Sequence, residues 1–262
     1  MARILTVANQ KGGVAKTTTT LTLGAALAEL GERVLLVDLD PQACLTYSCG
    51  VDPDSLELSL HDMFVRRKPA SQVIVNLENF DLLPANIDLA GSEMHLLTKT
   101  GREHALARAL MPARRHYDTI LIDCPPSLGV LTINGLTAAE QVIIPMQCET
   151  LSHRGVGQLL ETIEDVRAFT NSELVVRGIV ATMYDGRTRH SREILDAVTT
   201  QYELSVLEPP VRKSVRFAEA PQQGKTILDA PGSHPGADAY RAIAATLHAE
   251  GPSSGSGDEV EG

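Results

Sequence analysis

The chain has 262 residues, 43% hydrophobic and 21% charged, with a formal net charge of −10. Such a composition excludes an intrinsically disordered chain, and the acidic balance excludes a protein that is basic all over. No apolar run approaches the ~18–20 residues that cross a bilayer, so no membrane span is expected.

The first predicted element is a strand over residues 4–8. The N-terminus is too short and strand-like for a secretory signal. Next comes Asn9-Gln10-Lys11-Gly12-Gly13-Val14-Ala15-Lys16-Thr17-Thr18, which opens a helix with Leu23, Leu27 and Leu30 on one stripe and Gly31 as its stop. A glycine-rich turn between a strand and a helix is the setting of a phosphate loop. Gly12 and Gly13 let the backbone turn its N–H groups toward a polyphosphate, and the helix start adds the positive end of its dipole. Lys16 supplies a charge for the β- and γ-phosphates, and the Thr17 hydroxyl suits Mg²⁺. The pattern G-x-x-x-x-G-K-[ST] is met imperfectly, because Gln10 and Ala15 hold its two glycine positions. Lys11 at the front of the loop reads as a second neutralising group. Residues 11–18 are therefore the expected nucleotide cradle: Lys11, Gly12, Gly13, Val14, Ala15, Lys16, Thr17 and Thr18.

A second apolar strand, residues 34–37, runs into Asp38-Leu39-Asp40-Pro41-Gln42. Period-two alternation places Asp38 and Asp40 on one side if the strand stays extended. A third strand, 120–122, ends in Asp123-Cys124-Pro125-Pro126. Further strands are expected at 142–144 and 179–181. A helix between them carries Val156, Leu159, Leu160, Ile163 and Val166 on one stripe, and a closing helix spans 241–249. Short strands, apolar on both faces and alternating with helices, predict an α/β fold: a doubly wound, mostly parallel sheet with helices on both faces. Ligands of such sheets sit at the carboxyl ends of strands, where the three motifs converge. A single domain over 1–250 is expected. A disordered acidic tail is expected over 251–262.

The four cysteines (Cys44, Cys49, Cys124, Cys148) make no C-x-x-C pair, so buried or half-buried thiols in a reducing cytoplasm are expected. From Arg187 to Arg216, six basic residues (Arg187, Arg189, Arg192, Arg212, Lys213, Arg216) stand against four acids (Glu193, Asp196, Glu203, Glu208). This window is locally positive in a negative chain, which is what contact with a phosphate backbone needs.

These motifs, with Thr132-Ile133-Asn134-Gly135-Leu136, Gln147-Cys148-Glu149 and Phe217-Ala218-Glu219-Ala220-Pro221, resemble the ParA/Soj family of deviant Walker-type partitioning ATPases, relatives of MinD and the nitrogenase iron protein. The resemblance implies a P-loop NTPase fold with ATP and Mg²⁺ as cofactors. It implies that Lys11 reaches across an ATP-dependent homodimer to the partner's nucleotide, that Lys16 holds phosphate, and that Thr17 and Asp123 hold the metal. Asp40 resembles the acid that positions the attacking water. Arg187 and Arg216 fall where family members grip DNA. The implied partners are nonspecific double-stranded DNA and a ParB-like centromere-binding protein, in a cytoplasmic, nucleoid-associated setting. With a first strand beginning by about residue 3, no N-terminal helix-turn-helix domain is expected.

Three positions depart from the family pattern. Ala15 replaces a glycine, which a helical, negative-φ residue would tolerate. Ala43-Cys44 stands where Gly-Asn is common, and Arg212 where proline is common. Two rivals share the fold or the chemistry. A MinD-like positioning ATPase needs a C-terminal basic amphipathic helix, whereas this chain ends acidic and rich in Gly and Ser. A nucleotide-gated DNA-binding scaffold with negligible turnover would have little use for Asp40.

Overall fold

The computed structural model describes residues 1–149, 152–230 and 232–251. The expected tail therefore lies, from residue 252 on, outside the described residues. The chain begins β1 (Arg3–Val7), α1 (Lys16–Glu29), β2 (Val34–Asp38), α2 (Cys44–Ser48), α3 (Leu60–Val65) and α4 (Ala70–Val73). It continues through β3 (Val75–Asn76), β4 (Asp81–Leu83), α5 (Leu89–Leu97), α6 (Ala105–Leu110), β5 (Thr119–Asp123) and α7 (Val130–Ala138). Then come β6 (Gln141–Gln147), α8 (Ser152–Phe169), β7 (Val175–Thr182), α9 (Arg189–Tyr202), α10 (Arg216–Glu219) and α11 (Pro235–Ala249).

The strands form one sheet in the order β3-β4-β2-β5-β1-β6-β7. Every pairing is parallel except the antiparallel β3–β4 edge. The five expected strands are all present. The β3–β4 edge was not expected from the pattern: two and three residues are too few to show a period. Register sets the functional edge. Val7 lies opposite Asp123, and Asp123 lies opposite Asp38. The end of β1 is thus level with both acids, where α1 and β2 leave β1 to one side and β6 to the other.

The strands of the parallel sheet serve two cores. Ile4, Leu35, Val37, Ile120 and Ile122 face one layer, built on residues such as Leu106, Leu131, Val156, Leu159 and Ile163. Leu5, Val7, Leu36 and Leu121 face the other, built on α1 and α11 with Leu23, Leu27, Tyr240, Ile243 and Leu247. Burial on both faces explains why the strands read as continuous apolar runs. Leu30 is not part of the α1 stripe. It follows the last helical residue and is 42% exposed, while Gly31 at φ +89° makes the stop. Cys124 and Cys148 are buried as expected, but Cys44 is exposed at the start of α2.

α1 approaches the sheet through Gly24. A methyl there would sit 2.4 Å from Leu36 Cδ2 and 3.3 Å from Leu121 Cδ1. Gly24→Val therefore overpacks this contact. The expected loss is about 2 kcal/mol, seen as a lower denaturant midpoint with an unchanged m-value.

Candidate functional site

The loop between β1 and α1 is tied down on both sides. Asn9 Nδ2 donates to the Pro145 carbonyl at 2.8 Å, and Asn9 Oδ1 accepts the Lys11 N–H at 3.0 Å. Thr182 Oγ1 donates to the Val14 carbonyl at 3.0 Å. β6 and β7 thus grip the loop while Gly12 and Gly13 remain exposed between them. α1 then starts with no side-chain cap and no acid in its first turn. Its leading N–H groups and its positive dipole end are left for an external anion.

Four consecutive threonines, Thr17 to Thr20, are poor helix formers, yet they open α1. Their hydroxyls explain the choice. Thr17 Oγ1 donates to Asp123 Oδ2 at 2.7 Å. Thr20 Oγ1 reaches Asp123 Oδ1 at 3.4 Å and the Lys16 carbonyl at 3.1 Å. Thr19 Oγ1 and the Tyr240 hydroxyl share a bond of 2.8 Å. Lys16 is buried, and its Nζ donates to the Lys11 carbonyl at 3.2 Å. Burial pulls the Lys16 ammonium below its usual pKa, and the negative field of Asp123 opposes that fall. Asp123 is pushed well above the carboxylate range, first by burial and then by the nearby Asp38. Thr17 and Asp123 together present hard oxygens beside a phosphate loop. No group of three or more His, Cys, Asp or Glu ligands exists among the described residues. A metal held by so few side chains would need phosphate and water for the rest of its shell, which suits Mg²⁺.

The two acids after β2 diverge. The strand ends at Asp38, so alternation does not carry Asp40 to the same side. Asp38 is fully buried and accepts from Thr46 N at 2.8 Å, Thr46 Oγ1 at 2.7 Å and Asp40 N at 3.2 Å. Burial pushes its pKa up to about 6, and the Thr46 hydrogen bonds oppose that rise. Asp38 anchors the first turn of α2. Asp40 is partly exposed, and its Oδ1 accepts only the Gln42 N–H, at 2.9 Å.

Lys11 has a partner that sequence reasoning did not pick out. Its Nζ donates to Glu149 Oε2 at 2.7 Å, and Gln147 Nε2 donates to Glu149 Oε1 at 2.6 Å. Both ends of the ion pair stay in water, 31% and 53% exposed, so the pair is weak and easily exchanged. Gly155 of α8 lies against this corner: a methyl there would be 3.2 Å from Asn9 Oδ1 and 3.6 Å from Lys11 Cβ.

Beside the loop opens a cavity of about 340 Å³ lined by Gly13, Ala15 and Thr18 and, from distant parts of the chain, by Met183, Val211, Arg212, Ser214, Phe217 and Tyr240. Arg212, noted from the sequence as a departure, stands on this wall. No spacing in the sequence ties Met183, Phe217 or Tyr240 to residues 13–18; only the fold does.

The basic window is a surface feature. Arg187, Arg189, Arg192, Arg212, Lys213 and Arg216 are exposed. Arg187 is bound by Asp185 through both carboxylate oxygens, at 2.9 and 3.0 Å, and Arg189 by Glu193 at 2.6 Å. Asp185 lies just outside the counted window, so part of the expected charge is already answered. Arg192, Arg212, Lys213 and Arg216 make no ion pair with the described residues.

The Ala15 expectation fails. The residue is not helical: it sits at φ +69°, ψ +35°, and caps α1 in the left-handed region. Ala43 does the same for α2 at φ +53°. Both departures from glycine therefore fall where a Cβ is strained. Ala15→Gly and Ala43→Gly are each expected to stabilise the chain by about 0.5–1 kcal/mol. Calorimetry of the single and double variants checks this; the two sites are expected to add.

The family model described as AAA domain matches residues 2–176. A crystal structure of cobyrinic acid a,c-diamide synthase from Mycobacterium smegmatis, with bound ADP and magnesium, is 53% identical. The match covers 95% of this chain and 94% of that one, with a TM-score of 0.85. Sporulation initiation inhibitor protein Soj of Bacillus subtilis is 41% identical over 253 residues, covering 96% of this chain and 100% of Soj. Chromosome partitioning protein ParA of Caulobacter vibrioides is 41% identical over 246 residues, 92% of each chain. A relationship that runs through the phosphate loop, both acidic strand ends and the C-terminal helix places this chain in the ParA/Soj family of the MinD superfamily of P-loop proteins.

Proposed function

We propose that the chain is an ATP-dependent chromosome or plasmid partitioning ATPase, built as one domain over residues 1–250. The observation that carries this reading is the convergence of two lysines, an uncapped helix start and the Thr17–Asp123 pair on one strand edge. Backbone N–H groups of residues 12–18 receive the phosphates, with Lys16 on the β- and γ-groups. Thr17 and Asp123 would hold Mg²⁺, which would supply charge neutralisation to the phosphates. Asp40 orients the water. Lys11 leaves Glu149, a water-exposed partner, for the stronger charge of a triphosphate across the interface of two copies.

The same ATP-bound pair grips double-stranded DNA through Arg187 and Arg216 and reads no sequence, because contacts of charged side chains with the phosphate backbone carry no base information. A ParB-like partner speeds hydrolysis and release. On this reading the protein works in the cytoplasm, on the nucleoid. No helix among the described residues is long and apolar enough to cross a membrane.

The cobyrinic acid a,c-diamide synthase structure favours a second reading, ATP-driven amidation of carboxylates on the same phosphate loop. Phosphate release measured with duplex DNA, and separately with a polycarboxylate substrate plus an ammonia source, separates the two. DNA stimulation supports partitioning, and release that requires the carboxylate supports amidation.

Lys11→Ala is expected to abolish ATP-dependent dimerisation in analytical ultracentrifugation, whereas Asp40→Ala holds the dimer and cuts turnover at least about 100-fold. Both variants cycling like wild type defeats these roles. Arg187→Glu with Arg216→Glu is expected to remove DNA retention in a shift assay while ATP affinity stays within about twofold. Retention at wild-type strength moves the DNA face elsewhere.

A further inference from the structure

The cavity beside the phosphate loop has an apolar wall of Met183, Val211, Phe217 and Tyr240. Most uncharged polar groups around it are already spent. The Tyr240 hydroxyl is bound to Thr19, and Thr182 donates to the Val14 carbonyl. Thr18 belongs to the first turn of α1, at the phosphate end.

Ser214 is different. The Gly236 N–H donates to His234 Nδ1 at 3.1 Å, which makes Nδ1 an acceptor and leaves the ring proton on Nε2. Nε2 lies 3.1 Å from Ser214 Oγ and therefore donates to it. The Arg216 N–H also points at Ser214 Oγ, at 3.3 Å. The ring is held in place edge-on to Phe217, with centroids 6.4 Å apart and planes at 86°. Two donors occupy the lone pairs of the serine oxygen, so its own hydrogen is the part left to bond.

We propose that Ser214 is a specificity-determining residue. Its hydroxyl, aimed by His234 and the Arg216 amide, donates to a ring nitrogen of the purine base seated in this cavity. The proposal rests on the ATP reading above and adds to it the group that recognises the base. A fixed donor in an apolar slot favours a base edge that offers an acceptor. Both purines offer N3 and N7 as acceptors, and N1 separates them, because guanine carries a hydrogen there.

The test is calorimetric binding of ATP, 1-deaza-ATP, 3-deaza-ATP and 7-deaza-ATP, with Mg²⁺, to the full chain. Wild type is expected to bind one deaza analogue about tenfold more weakly than ATP. Ser214→Ala is expected to bind ATP about tenfold more weakly and to lose the distinction between ATP and that analogue. Ser214→Thr keeps the distinction, and His234→Ala shrinks it. A merely structural role for Ser214 would weaken ATP and all three analogues alike and leave the analogue penalty intact, which overturns the proposal. An unchanged penalty in His234→Ala overturns the aiming role of the histidine. A wild-type chain that binds none of these nucleotides overturns the ATP reading and this one together. A wild-type chain that binds ATP, with Ser214→Ala indistinguishable from it, overturns the Ser214 assignment alone.

Discussion

The site depends on one buried carboxylate. Asp123 ends β5 with 1% exposure, beside the buried Lys16 and beneath the hydroxyls of Thr17 and Thr20. An ionised acid in that position is costly unless a cation or several donors meet it. The loop supplies some of this and leaves the rest to whatever docks there. Lys16 shares the bargain from the other side, since desolvation weakens its hold on a proton while Asp123 strengthens it. The pair forms a pre-arranged dipole at the switch point of a parallel sheet. The register of β1, β5 and β2 holds it at one level.

Much of this was legible in the sequence because it is local. A doubly apolar strand, a glycine-rich turn and a helical stripe each occupy a few consecutive residues, and their order dictates a parallel sheet with crossovers. The convergence of Lys16, Asp38 and Asp123 follows from the rule that such sheets gather function at strand ends. What stayed hidden is non-local or conformational. Glu149 meets Lys11 across 138 positions, and Tyr240 meets Thr19 across 221. No periodicity encodes such meetings. The side on which Asp40 falls stayed open, because alternation says nothing about where a strand stops.

The two alanines show why a departure from a motif is worth keeping in view. In both, the missing glycine marks a place where the backbone turns left-handed, and the chain keeps that turn with a Cβ present. Surrounding contacts hold the conformation: the Ala15 carbonyl accepts the Thr19 N–H at 2.9 Å, and the Ala43 carbonyl accepts the Tyr47 N–H at 2.9 Å. Strain of this kind persists only where neighbouring structure over-determines it, and here it sits at the two helix starts that frame the site.

The stretch from Val211 to Ala218 has two faces. Val211, Ser214 and Phe217 line the cavity, Arg212 and Lys213 line it while remaining exposed, and Arg216 stands out into solvent. Occupants of the two faces would share a single thin wall of backbone, whose ordering by either one spares the other that entropy. Thermodynamic reciprocity then makes the influence mutual: any ligand on the outer face that tightens the inner one must itself be held more firmly when the inner one is filled.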